Sequence, residues 1–136
     1  MMKTYIGKKT ISAQPMSAED ALTKGYKIGN TQDKEGYEVM YEDGYMSWSP
    51  SIVFNKAYKV AETYIDRINI EKQELFNKIC KLSTYLHDIE EDNKNFVQDE
   101  QYNNDLMKLQ LSVMKTYLYI LESRINLQNK YNPYNE

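Results

Sequence analysis

The sequence predicts an α+β protein: a small antiparallel β-sheet head, then a long antiparallel two-helix hairpin, assembled as a homo-oligomer. Three observations predict it. All five glycines lie before residue 60, together with Pro15 and Pro50, and no Gly or Pro then occurs until Pro133. Glycine and proline punctuate short strands and turns, and their absence permits long helices. Between Gly36 and Glu42 the residues alternate, with Tyr37, Val39 and Tyr41 on one face and Glu38, Met40 and Glu42 on the other. Beyond residue 60 the apolar residues recur at helical spacing instead. These patterns divide the chain into a head over residues 1–60, a hairpin over 61–130 and a frayed tail over 131–136.

In the head, Thr4 to Ala13 is expected as a strand ending before Pro15. Ser17 with Asp20 caps a short helix, AEDALTK, which Gly25 closes. The alternating strand meets Asp43-Gly44, a two-residue hairpin signal, because both residues tolerate positive φ. The return strand is Tyr45 to Trp48. Ser49-Pro50 then opens another short helix, with Ser49 as N-cap and Pro50 at the first helical position. Ile52, Val53 and Phe54 in that helix are directed towards the sheet.

The hairpin opens near Ala61. Ile65, Ile68, Leu75, Ile79, Leu82, Leu86 and Ile89 form one apolar stripe on a helix of about 28 residues, roughly 40 Å long. The polar stretch EEDNKN interrupts the pattern. A second stripe is expected from Leu106, Leu109, Val113, Tyr117, Ile120, Leu121 and Ile125. The short connection makes the two helices antiparallel neighbours. A lone helix pair buries little, so a second copy of the chain is expected to cover it.

Composition narrows the function classes. The net charge is −3, which argues against binding duplex DNA or RNA. A small anion remains possible to hold, because two or three local cations suffice. Cys80 is the single cysteine and His87 the single histidine, so neither an internal disulfide nor a metal site is expected. No Gly-rich phosphate loop or nucleophile–base pair is present, and the expectation is a binding protein without catalysis or cofactor. No apolar run reaches the length of a membrane span, and a cytoplasmic setting follows. Thirteen tyrosines supply flat contact area with a polar tip, suited to packing and equally to stacking on a base.

Folding the hairpin about residue 95 or 96 brings Arg67 and Arg124 to one height, far from the tip. Two guanidiniums at one level repel unless something negative lies between them. Glu71 or Glu122 would do this internally, and an anionic ligand would do it otherwise, since the Arg fork suits phosphate. Phe96 stands alone in the polar tip, either as a plug or as a stacking platform, with Asn93, Asn95, Gln101, Asn103 and Asn104 around it. The candidate ligand-binding residues are Arg67, Arg124, Phe96, Glu71, Gln128, Tyr117 and Asn104.

The pattern Arg67-x3-Glu71-Lys72-x2-Leu75-x2-Lys78-x3-Leu82-x2-Tyr85-Leu86, then Phe96, then Gln110-x3-Met114-x2-Tyr117-x3-Leu121-x2-Arg124-Ile125, resembles a phage hairpin domain. That domain is shared by Thoeris anti-defence sponges and anti-CBASS cyclic-nucleotide sponges. The head stretch with Gly36-Tyr37, Asp43-Gly44-Tyr45, Ser47-Trp48-Ser49-Pro50 and Ala57-Tyr58 is similar to a module of small phage proteins. The two together resemble the first type of Thoeris anti-defence sponge described. The resemblance implies a homodimer or higher oligomer in the host cytoplasm. It implies sequestration of a cyclic ADP-ribose isomer without cleavage, with cyclic oligonucleotides as a further ligand class. The alternative reading is an interaction module that docks on a host or phage protein and takes no nucleotide.

Overall fold

The computed structural model describes residues 1–92 and 95–131. The expected Asn93 amide and residues 132–136 of the expected tail lie outside these. The chain forms two compact units, Met1–Lys59 and Val60–Glu136, and is α+β, with a three-stranded antiparallel sheet followed by two long helices.

The head contains β1 (Ser12–Ser17), α1 (Ala18–Lys24), β2 (Glu35–Met40), β3 (Met46–Pro50) and α2 (Ser51–Ala57), with strand order β1-β2-β3. The first strand is displaced from expectation: it starts at Ser12 instead of Thr4 and carries Pro15 within it, opposite Tyr37. Proline is tolerated there because β1 is an edge strand and needs no donor on its outer side. α1 forms as expected. The Ser17 hydroxyl accepts from the Asp20 amide at 3.1 Å, and the Gly25 amide closes the helix onto the Leu22 carbonyl at 3.0 Å.

The β2–β3 connection is one residue longer than the Asp43-Gly44 signal implies. The Tyr41 amide donates to the Tyr45 carbonyl and the Gly44 amide to the Tyr41 carbonyl, both at 2.9 Å, with Gly44 at φ +85°. This is a three-residue loop whose last position needs positive φ, which glycine adopts without strain. α2 begins at Ser51, with Pro50 at the cap position. The helix start at Ser51 moves the cap from the expected Ser49 to Pro50, which has no side-chain acceptor; Asp33 supplies one from a distant loop, accepting from the Ile52 amide at 3.0 Å. Phe54 faces the sheet and stacks on Tyr37 with ring centroids 4.1 Å apart. Ile52 and Val53 face outward instead, because one turn of helix can direct only one side to the sheet.

Both faces of β2 are covered. Val39 is buried on one face, and Glu38, on the face it shares with Met40, is 2% exposed. Its carboxylate accepts from Gln14 at 2.6 Å, from Tyr26 at 2.7 Å and from Lys24. The Lys24 bond first, then those from Tyr26 and Gln14, hold the Glu38 carboxyl down at about 2. Gly36 is required nearby, because a Cβ there would run into the Ser49 carbonyl and the Trp48 ring.

The second unit is α3 (Tyr64–Glu91) and α4 (Gln98–Tyr131). α3 opens on a capping box: the Thr63 hydroxyl accepts from the Asp66 amide at 3.1 Å, and the Asp66 carboxylate accepts from the Thr63 amide at 2.9 Å. Its inward seam is the expected apolar stripe with Lys72 included, and its buried members are Ile68, Leu75, Ile79 and Leu86.

The α4 seam differs from expectation. The side turned to α3 carries Asn104, Met107, Leu111, Met114, Leu118, Leu121, Ile125 and Gln128, at steps of three and four. Leu121 is its fully buried centre, packed with Ile68, Leu75 and Ile79. Of the expected stripe, Leu106, Leu109, Val113, Tyr117 and Ile120 are exposed. α4 therefore has two apolar stripes, about 120° apart at 100° per residue, and hydrophobicity alone ranked the outer one first. Tyr131, expected in the tail, is the last residue of α4.

Candidate functional site

The capping box fixes where α3 starts, and thereby places Tyr64, Arg67 and Glu71 on its first two turns. The matching turns of α4 present Tyr117 and Arg124. Two cross-helix hydrogen bonds register them. Tyr117 donates its phenol proton to the Glu71 carboxylate, and Arg124 Nη2 donates to the Tyr64 phenol oxygen at 2.6 Å. Tyr64 precedes Glu71 by seven residues and Arg124 follows Tyr117 by seven, two turns on each helix.

The arginines differ from the lysine beside them. Lys72 faces Glu122 at 3.9 Å. Arg67 Nη1 donates to the Ala61 and Glu62 carbonyls at 3.2 Å each, and the Arg124 guanidinium also lies 5.3 Å from the Tyr64 ring centroid. Neither guanidinium forms a carboxylate ion pair among the described residues. Glu71, expected as their counter-charge, is engaged by Tyr117, and Glu122 by Lys72. Most of the donors of both arginines have no partner among the described residues, and the Arg67 charge is felt by the neighbouring Asp66, whose pKa it helps to lower. Tyr117 registers the Arg124 charge. Its hydrogen bond to Glu71 raises its pKa above the usual tyrosine value, with smaller upward contributions from desolvation and the Glu71 charge and an opposing one from Arg124.

The expected site residues form two groups. Arg67, Glu71, Tyr117 and Arg124 gather at the open end of the hairpin, with Gln128 half-buried one turn beyond Arg124. Phe96 and Asn104 lie at the closed end. Arg67 is 24 residues from the end of α3 at Glu91, about 36 Å of helix. Phe96 is half-buried, and Asn104 is 6% exposed in the seam without a side-chain hydrogen bond to another described residue. Lys78 and Gln110 are exposed.

Tyr64 was not among the expected residues. Its signal was present in the numbering, since Tyr64 and Arg124 are symmetric about the same turn as Glu71 and Tyr117. Periodicity does not mark it, because it is the first residue of its helix.

The two-helix unit also decides the comparison with known proteins. Residues 62–127 match the family model named Sequestin. The match begins at the residue before the α3 N-cap and runs into the last turns of α4, so it covers both arginines, Glu71 and Tyr117. The head lies outside it. No curated protein and no solved structure matches the chain. The family name fits a sequestering, binding role for the hairpin.

Two further features bound the chemistry. No group of three or more metal-ligating side chains occurs among the described residues, and no described helix is long and apolar enough to cross a membrane. The head carries a separate open cleft of about 540 Å³, lined by Lys8, Lys9, Thr10, Tyr41, Glu42, Asp43 and Tyr45. Its lining carries two lysines and two carboxylates, so its net charge favours neither an anion nor a cation.

Proposed function

We propose that this protein is a phage anti-defence protein. It binds and sequesters a cyclic ADP-ribose-type immune signal in the host cytoplasm without cleaving it, and so blocks Thoeris immunity. Cyclic oligonucleotides are a second ligand class. The observation that carries this reading is the pair of guanidiniums at one end of a hairpin that matches Sequestin, both held by uncharged oxygens and neither spent on a carboxylate. A pyrophosphate is the anion that two such forks suit. Phe96 stacks on the adenine, and Asn104, Gln128, Tyr117 and Glu71 serve its edge and the ribose hydroxyls. Holding a scarce signal requires a Kd near nanomolar, about −12 kcal/mol, and no turnover.

The working form is a homodimer or a higher oligomer. The outer stripe of α4 supports this, because Leu109 and Val113 are 61% and 60% exposed in the single chain. A two-fold antiparallel pair brings the tip of one hairpin to the base of the other. It then joins Phe96 of one chain to Arg67 and Arg124 of the next, across a span that no one ligand bridges within a chain.

The same outer stripe favours a second reading, an interaction module whose α4 docks on another protein while the arginines take no nucleotide. One experiment separates these readings and also detects an enzyme. The protein is mixed with cyclic ADP-ribose, filtered, and then heated to release what it holds. Intact nucleotide lost from the filtrate and recovered on heating supports sequestration. Altered nucleotide indicates an enzyme, and full recovery in the filtrate indicates the interaction module.

A further inference from the structure

We infer that Tyr64 is the positioning residue of the anion site, holding Arg124 in place by an uncharged oxygen so that the guanidinium's charge stays available to the ligand. The inference rests on the reading of the two arginines as an anion clamp.

Three observations carry it. Tyr64 gives Arg124 both an acceptor, at 2.6 Å, and a ring, 5.3 Å from the guanidinium carbon to the centroid. The two contacts restrict a long side chain that would otherwise sample many rotamers, and such restriction before binding lowers the ordering cost of the complex. The tether is neutral. A carboxylate at the same place would hold Arg124 more strongly but would cancel the charge that attracts an anion. Lys72 shows that alternative on the same hairpin, since it faces Glu122 and is correspondingly less available. Arg67 is likewise hydrogen-bonded only to uncharged oxygens, the Ala61 and Glu62 carbonyls, although its charge also acts on the adjacent Asp66. Tyr64 is itself 48% exposed and lies outside the buried core of the hairpin, at the first residue of α3.

The test uses the full chain and three substitutions. Tyr64→Phe keeps the ring and removes the acceptor, Tyr64→Gln keeps a neutral acceptor, and Tyr64→Glu supplies a charged one. In the unliganded protein, ¹⁵N NMR should show the Arg124 guanidinium protons resolved by slowed rotation in wild type and in Tyr64→Glu, and averaged in Tyr64→Phe. Calorimetry with cyclic ADP-ribose should show Tyr64→Phe weaker by about five- to tenfold, the size of one hydrogen bond. Tyr64→Gln should stay within about threefold of wild type, and Tyr64→Glu should be the weakest of all with the best-ordered Arg124. A purely structural Tyr64 predicts affinities that follow thermal midpoints, with Gln and Glu alike, and that ranking overturns the inference. Averaged Arg124 protons in wild type overturn it as well. If wild type fails to bind cyclic ADP-ribose while the NMR pattern holds, the cyclic ADP-ribose reading is lost and the positioning role falls with it, leaving only the unliganded Tyr64–Arg124 contact.

Discussion

Tyr117 and Glu71 join the two long helices through a phenol-to-carboxylate hydrogen bond, with the Arg124 charge close enough to act on the same phenol. This contact lies at the same end of the hairpin as the Arg124–Tyr64 bond, beside the core of Ile68, Leu75, Ile79 and Leu121 that packs α3 on α4. Because the Tyr117 pKa is raised, the interaction is fully present below the ordinary tyrosine value near 10 and is lost as pH rises through the higher folded value. Carbon-13 NMR of the labelled tyrosines should find Tyr117 ionising above that value. Glu71→Gln should bring it down.

Arg124 and Arg67 should carry the affinity of the clamp. Arg124→Ala is expected to weaken nucleotide binding by about 2 kcal/mol, near thirtyfold, as for a lost charge-assisted contact. Calorimetry on a folded variant checks this, and unchanged affinity would remove Arg124 from the site. His87→Ala should leave binding as it is, since His87 is exposed on α3 and no metal-ligating cluster forms among the described residues.

The two stripes of α4 should respond differently to substitution. Leu121 is fully buried against α3, and Leu121→Ala should lower stability by about 3 kcal/mol through the cavity it leaves. Val113 is exposed on the outer stripe, and Val113→Glu should leave the hairpin folded but reduce the assembled form in sedimentation velocity. If Val113→Glu assembles like wild type, the outer stripe is not the contact between copies.

Shared pockets predict complementation. Phe96→Ala chains and Arg124→Ala chains, each weakened alone, should on mixing regain wild-type affinity at about half of the sites in the mixed dimers, because one of the two pockets in the mixed pair is intact. If mixed dimers form and regain nothing, the pocket belongs to one chain.

The head should show an acid transition of its own. The Glu38 carboxyl is held down at about 2, so its stabilising contribution is present above the ordinary glutamate range near 4.5 and is lost as pH falls from there towards 2. Trp48, the single tryptophan, is buried in the same unit, and its indole N–H donates to the Met16 carbonyl at 2.8 Å. Its fluorescence should change over that acid range. Glu38→Gln, which cannot titrate, should flatten the response.

The sequence by itself determined the elements that local rules govern. α1 follows from Ser17 and Gly25, α3 from an apolar stripe over about 28 residues without Gly or Pro, and the hairpin from a polar interruption between two apolar patterns, while the Thr63 cap that fixes where α3 starts came from the structure. The sequence also put Arg67 and Arg124 on the turns far from the tip, because the turn makes sequence distance a measure of height; the cross-helix contacts set Arg124 opposite Tyr64, one turn before Arg67. The tertiary structure decided what depends on a neighbour. Whether Leu109 or Leu111 faces α3 is a rotation of the whole helix, and a polar Asn104 and Gln128 in the true seam disguised its period. Glu38 is buried because Lys24, Tyr26 and Gln14 converge on it from elsewhere in the chain, and Asp33 caps α2 from a loop eighteen residues before the Ser51 hydroxyl it also accepts. The neutral tethers of the two arginines belong to this second class. A sequence shows that a cation is present, whereas only packing decides whether its charge is already spent.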